Sequence, residues 1–243
     1  MKVLRIDRQS GTWPCEAQEA IGQDVICPLP VEMIADSAVN RNDRPVFVPD
    51  FAISGGWTLD ILSVIHIGHQ GKSIASRFAH RYVSGLSLAA QLHPASGSRF
   101  LPIFGAIDTA FTLGPALPLT IRPEHQPDND TKLAPTDTDS DRTPADCQEI
   151  KITVDYTPQP GSKHPFEPVS RELTVKLADL KIAETVELLS RFITLKTGDL
   201  LIPCTLGPAL SLPLHLDAAL TATITLAGAA TPSASSPLLL RLK

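Results

Sequence analysis

The chain has 243 residues, a formal net charge of −5 and 43% apolar residues, enough for one sizeable domain with a buried core. No basic stripe interleaved with aromatics occurs in it, and neutralising phosphates takes clustered Lys and Arg, so nucleic acid is not an expected partner. Cys15, Cys27, Cys147 and Cys204 are widely spaced with no C-x-x-C pair, which reads as reduced structural thiols and not as a zinc knuckle or disulfide framework.

The first residues, MKVLRIDRQSGTWP, carry Lys2, Arg5, Asp7 and Arg8 and no apolar run, so no signal peptide is predicted. No stretch approaches the ~20 apolar residues that span a bilayer. A cytoplasmic protein without a membrane partner is expected. Arg44–Phe51 (RPVFVPDF) and Leu59–Gly68 (LDILSVIHIG) are predicted strands, β-branched and bounded by Pro and Gly. The run GHQGKS has the spacing G-x-x-G-K-S, too short for the G-x-x-x-x-G-K-[ST] that wraps phosphates, and reads as a turn. A helix is predicted within SIASRFAHRYV, where Ile74, Phe78 and Tyr82 recur every fourth position.

The segment 124–149 differs from its surroundings. It holds eight acidic residues against Lys132 and Arg142, a charge of 2 − 8 = −6, so the rest of the chain sums to +1. With Leu133 its only large apolar residue, it cannot bury enough surface to offset its ordering entropy. It reads as a solvated acidic insertion. A calcium loop is disfavoured, since TDTDSDRTPADC lacks the internal Gly and closing Glu of an EF-hand.

Beyond the insertion, Ile150–Tyr156 and Glu172–Leu177 alternate like strands. Ala178–Phe192 is the clearest helix, with Ile182, Val186, Leu189 and Phe192 on one face. The rest is short strands punctuated by Gly and Pro, closing on LLLRLK. No repeat at a 20–50-residue period is evident. The predicted class is a β-rich α+β domain over 1–243 with few helices.

Three stretches, taken together and in order, resemble the fumarylacetoacetate-hydrolase family, in particular its short single-domain bacterial members. FITLKTGDLLIPCT after the long helix is similar to the family's "FTLKPGD" and the strand leading to "TGTP". RNDRPVFVPDF, the following strand, GHQGKSI and RFAHRYVSGLSL resemble its acidic strand, "VIGKxGKNI" and "A-x-x-Y-V-x-G". AIDTAFTLGPALP is similar to "FDxxxPxGPxxP". The resemblance runs from Met1 to about Leu226 apart from the insertion, and implies a mixed β-roll or sandwich with peripheral helices and a homodimer.

It also implies a chemistry: C–C hydrolysis, decarboxylation or tautomerisation of 1,3-dicarbonyl-type acids on Mg²⁺ or Mn²⁺. Hard cations need carboxylate ligands, which the family supplies as an E-x-E pair and a later Asp. A His–Glu dyad activates water and a Lys holds developing charge. At the matching positions this chain has Thr58 and Asp60 for E-x-E and Ala89 for the Asp. In RQSGTWPCE, Arg8 and Glu16 match while Trp13 replaces the His. Gly105 replaces the Lys, Asp108 matches, and Thr205 is what is kept of the "G-T-P" turn.

The expectation is a protein of this type whose metal site is degenerate. Asp60 is the one metal ligand kept, Glu16 and Thr205 persist from the catalytic set, and Arg8 and Asp108 are candidates for binding a small carboxylate. No cofactor is expected, because a lone carboxylate cannot hold Mg²⁺ against its own waters. Two alternatives stand beside it: a divalent-metal-dependent hydrolase or decarboxylase of 1,3-dicarbonyl-type acids with a rebuilt site recruiting Asp60, Asp108, Glu16 and a histidine, and an interaction module working through the acidic insertion. His66 and His69 are too few ligands for structural zinc. Ser10 and Ser87 lack a G-x-S-x-G elbow. Trp13 is bulkier than a His, so the old cleft is either plugged by it or open; a cavity of ~300 Å³ or more there would contradict plugging.

Overall fold

The computed structural model describes residues 1–6, 31–53, 56–94, 101–119, 149–203, 210–226, 233–234 and 237–243. In chain order the strands are β1 (Val3–Ile6), β2 (Val31–Ile34), β3 (Val39–Arg41), β4 (Pro45–Val46), β5 (Thr58–Ile67), β6 (Val83–His93), β7 (Phe111–Leu113) and β8 (Leu117–Pro118). They continue as β9 (Glu149–Pro158), β10 (Val169–Lys176), β11 (Leu200–Ile202), β12 (Ser211–Pro213), β13 (Ala218–Leu226), β14 (Ser233–Ala234) and β15 (Leu238–Leu242).

Two sheets form. The larger runs β2-β1-β11-β5-β6-β7-β3, with β12 also on β5 and β8 on β6; the smaller runs β10-β9-β13-β15-β4, with β14 on β13. Their strands read differently for a physical reason. β9 alternates exposed and buried positions, with Ile150, Ile152, Val154 and Tyr156 inward, because one face of its sheet meets solvent. β5 (TLDILSVIHI) is buried along nearly its whole length, since both of its faces are covered. Its odd positions, Leu59, Ile61, Ile65 and Ile67, join the main core with β9, β13 and the long helix. Its even positions Leu62 and Val64 join a smaller apolar cluster with Val3, Ala89, Phe111 and Ile202. That second face, at the β5–β6 pair, is where the candidate site lies.

Several local expectations need correction. Arg44–Phe51 is strand only at Pro45–Val46. Proline has no N–H for a ladder, and after Pro49 the chain turns into a four-residue helix, Asp50–Ile53, with Ala52 N–H donating to the Pro49 carbonyl. The period-four run is a 3-10 helix, Ser76–Arg81. The long helix begins at Ile182 and not at 178: Leu177–Leu180 is a 3-10 turn, and Lys181 at φ 51° breaks the path between them. Phe192 is 66% exposed; Thr185 and Leu188 share the buried face with Ile182, Val186 and Leu189.

The T-G-D turn shows why that motif persists. Gly198 takes φ 86°, which suits glycine. This brings the Asp199 carboxylate under the N–H groups of Lys2 and Lys196, each at 2.8 Å, and beside the Lys2 ammonium at 2.6 Å. The clamp ties β1 to β11, which pair in parallel with Val3 opposite Leu200. No helix among the described residues is long and apolar enough to cross a membrane.

Candidate functional site

The antiparallel register of β5 and β6 sets the site. It places Thr58 opposite His93, Asp60 opposite Gln91 and Leu62 opposite Ala89. Alternate residues share a face, so Thr58, Asp60, Ala89, Gln91 and His93 all project to one side, with directly opposed side chains about 5 Å apart. The three positions read from the sequence as metal ligands are therefore brought together. Ala89 is one pair beyond Gln91 and packs as a methyl in the smaller apolar cluster.

Asp60, 8% exposed, is held by hydroxyls. Thr58 Oγ1 donates to its Oδ1 at 3.0 Å and Ser211 Oγ donates to the same oxygen at 2.6 Å. Ser211 arrives because β12 pairs with the start of β5, Ser211 opposite Asp60. The other oxygen, Oδ2, is 4.0 Å from His93 Nδ1, and the His93 ring meets Phe104 edge-on at 4.8 Å.

Sequence reasoning did not single out Arg5 or Gln91. From β1, Arg5 reaches Gln91, its Nη1 donating to Oε1 at 2.8 Å, with the guanidinium carbon 5.5 Å above the Phe104 ring. Arg5 is 3% exposed and Gln91 is fully buried. Among the described residues, Arg5 Nε and Gln91 Nε2 have no hydrogen-bond partner. An orphaned buried donor costs about 1–3 kcal/mol, and a buried guanidinium resting on one neutral amide costs more. The only signal for it in the sequence was an arginine inside an otherwise apolar strand, VLRI.

Of the remaining predicted positions, Gly105 and Asp108 are described. Asp108 is exposed, in the loop before β7. Gly105 is buried in a 3-10 segment; a Cβ there would lie 2.8 Å from Glu32 Oε1 and 3.1 Å from the Met33 carbonyl, so a carboxylate stands where the resemblance implies a Lys. Arg8, Trp13, Glu16 and Thr205, and the acidic segment up to Gln148, lie outside the described residues. Further along the same face His66 Nε2 is 2.8 Å from Ser87 Oγ, and burial pushes the imidazole below its usual pKa. Ser87 is fully buried and its hydroxyl is engaged by His66, in contrast to the unpartnered donors of Arg5 and Gln91. A cleft of about 200 Å³ lined by Val48, Ile53, His164, Leu214, His215 and Leu216 contains none of the Asp60 cluster.

The donor set decides what this face can hold. A hard dication takes several anionic or carbonyl oxygens. Among the described residues this face has one carboxylate, with one oxygen already accepting two hydroxyls; the amide oxygen accepts from Arg5, and a guanidinium repels a second cation. Among the described residues no three His, Cys, Asp or Glu side chains converge. Mg²⁺ or Mn²⁺ does not fit these donors.

No family model matches the chain, and no curated protein matches it in sequence. Solved structures do. Fumarylpyruvate hydrolase from Pseudomonas aeruginosa, in complex with Mn²⁺ and pyruvate, aligns at TM-score 0.62 with 18% identity over 100% of this chain and 89% of its own. A putative fumarylacetoacetate isomerase/hydrolase from Oleispira antarctica aligns at 0.61, with 14% identity over 100% and 93%. This chain has the fumarylacetoacetate-hydrolase fold. The 5-carboxymethyl-2-hydroxymuconate delta-isomerase from Mycobacterium smegmatis matches as well, at 0.61 with 17% identity over 99% of this chain and 78% of that one. The β-rich α+β architecture read from the ordered motifs is the one found.

Proposed function

We propose that this protein is a catalytically silent relative of the enzymes that share its fold, a homodimeric scaffold that binds a small carboxylate without a divalent metal. The observation that carries the reading is the state of Asp60: it is bonded to the hydroxyls of Thr58 and Ser211, stands opposite the neutral Gln91, and shares its face with Thr58 and Ala89 where further carboxylates would be needed. Metal-supported enolate chemistry depends on that charge, because the cation supplies the largest electrostatic contribution to the transition state. Losing general-base help as well, where Trp13 replaces the His, costs a further ~10²–10⁴ in rate.

The fold neighbours support the ligand class. The Pseudomonas aeruginosa enzyme was solved with pyruvate, and so was a maleylpyruvate hydrolase from Sphingobium. A face with Thr58 and Ala89 where carboxylates are expected, and with Arg5 and Gln91 beside Asp60, suits a ligand carboxylate in place of a metal-chelated one. Calorimetry with Mg²⁺ and Mn²⁺, and turnover assays with oxaloacetate and acylpyruvates, test the silence. The expected results are no micromolar metal affinity and no turnover. Metal binding accompanied by product formation overturns the proposal. Light scattering tests the dimer.

A second reading rests on the His93–Asp60 approach at 4.0 Å. An imidazole beside a carboxylate is the arrangement of a general base, so a rebuilt site would show metal-independent turnover that His93→Gln removes.

A further inference from the structure

We infer that the unpartnered donors of Arg5 and Gln91 are the carboxylate-recognition edge of this site, a metal-independent subsite built on β1 and β6. The inference rests on the ligand class proposed above and assigns it to particular atoms. Arg5 and Gln91 are joined by one hydrogen bond of 2.8 Å, and each keeps a buried N–H group, Nε and Nε2, without a partner. Buried donors in a folded protein are nearly always satisfied, by protein, water or ligand. Two such donors on a hydrogen-bonded pair of side chains constitute a small donor edge.

Charge narrows what fits. Among the described residues Arg5 makes no ion pair, although Asp60 stands opposite its partner Gln91. The carboxylate of Asp60 is directed to Thr58 and Ser211, so the guanidinium charge is left unneutralised by direct contact. The guanidinium carbon lies 5.5 Å above the Phe104 ring, an apolar neighbour that offers it no hydrogen-bond acceptor. A planar monoanionic group matches such an edge, because guanidinium N–H donors lie in one plane. A phosphate brings more negative charge close to Asp60 and a tetrahedral shape, and is disfavoured on both counts. A single carboxylate group answers the one free positive charge and the orphaned donors together.

The test uses the full chain in EDTA, titrated with pyruvate and, for comparison, inorganic phosphate and acetone. Wild-type protein should bind pyruvate, with weaker binding of phosphate and none of acetone, and added Mg²⁺ should not change the affinity. Gln91→Glu supplies an internal carboxylate to the guanidinium; it should melt at or above the wild-type temperature and lose pyruvate affinity by at least about tenfold. Arg5→Met should lose it similarly, and if that variant fails to fold, Gln91→Glu decides. Wild-type pyruvate binding left intact in Gln91→Glu overturns this assignment while the carboxylate reading stands. Absence of pyruvate binding to wild-type protein overturns both. Phosphate bound as tightly as pyruvate overturns the carboxylate class.

Discussion

Asp199 and Arg5 are both charged, both almost inaccessible and both tied to β1, yet their surroundings differ. Asp199 receives two backbone N–H groups and an ammonium and thereby closes β1 onto β11. Arg5 donates once, to a neutral amide, and its Nε is idle. A buried charge that is saturated by the protein is a structural clamp; one left with spare bonding capacity destabilises the fold unless something else meets it. The contrast separates the part of this fold that builds the sheet from the part we propose for ligand recognition.

Breaking the clamp should have the largest effect. Asp199→Ala removes charge-assisted bonds at two strands, so a loss of about 3 kcal/mol is expected in urea unfolding. Burial by itself would raise the Asp199 carboxyl, but the Lys2 ammonium and the Lys196 and Lys2 backbone N–H groups outweigh it and hold the group below its ordinary value. A carboxyl depressed in the folded state stabilises fully above its unfolded value, near 3.9, and loses that contribution as pH falls through the folded value. The wild-type protein should therefore lose stability more steeply than Asp199→Ala as pH drops below about 4. Parallel acid profiles for the two proteins would show that the clamp is not acting electrostatically.

An intermediate effect is expected at position 105. A methyl there meets the Glu32 carboxylate, which can swing away, and the Met33 carbonyl, which must give by a few tenths of an ångström. Gly105→Ala should cost about 1 kcal/mol. Gly105→Lys, which restores the residue the resemblance implies, should cost no less and restore no turnover. A neutral or stabilising Gly105→Ala would show that Glu32 does not hold this space firmly.

Arg5→Met sharpens the comparison from the other side. It removes a desolvated charge but leaves the Gln91 oxygen without its donor, and these oppose one another, so the net change should stay within about 1 kcal/mol. A loss as large as that of Asp199→Ala would make Arg5 a second clamp and remove the physical contrast between the two.

These residues also show what could be read before the fold was in view. β5 and β9 were legible because burial imposes its own periodicity, continuous in the strand covered on both faces and alternating in the strand covered on one. The T-G-D segment was marked only by its resemblance to the family's motif; its physical demand, a positive φ at Gly198 and a buried carboxylate at Asp199, needed the fold. Thr58, Asp60 and Ala89 share one face because the antiparallel register of β5 and β6 sets alternate residues of the two strands side by side. The strand at 44–51 and the helix start at 178 were misread where Pro49 and the left-handed Lys181 interrupt a favourable pattern. Arg5, Gln91, His93 and Ser211 were missed because their relation is wholly tertiary: 86 residues separate Arg5 from Gln91 and 151 separate Ser211 from Asp60. No local spacing reports such a pairing.

The smallest effect concerns the acidic segment. Its charge of −6 is larger in magnitude than that of the whole chain, so without it the remainder is nearly neutral. Screening at physiological ionic strength limits the reach of exposed charges to about 8 Å. Replacing residues 124–149 by a short Gly/Ser linker should therefore change unfolding free energy by no more than about 0.5 kcal/mol and leave pyruvate affinity unaltered. The low net charge left behind should instead lower solubility, measured as the onset of precipitation at pH 7. Weakened pyruvate binding in this variant would tie the segment to the site on β5 and β6. Unchanged pyruvate binding together with loss of a partner in a pull-down would place its role elsewhere, in an interaction carried by the acidic run alone.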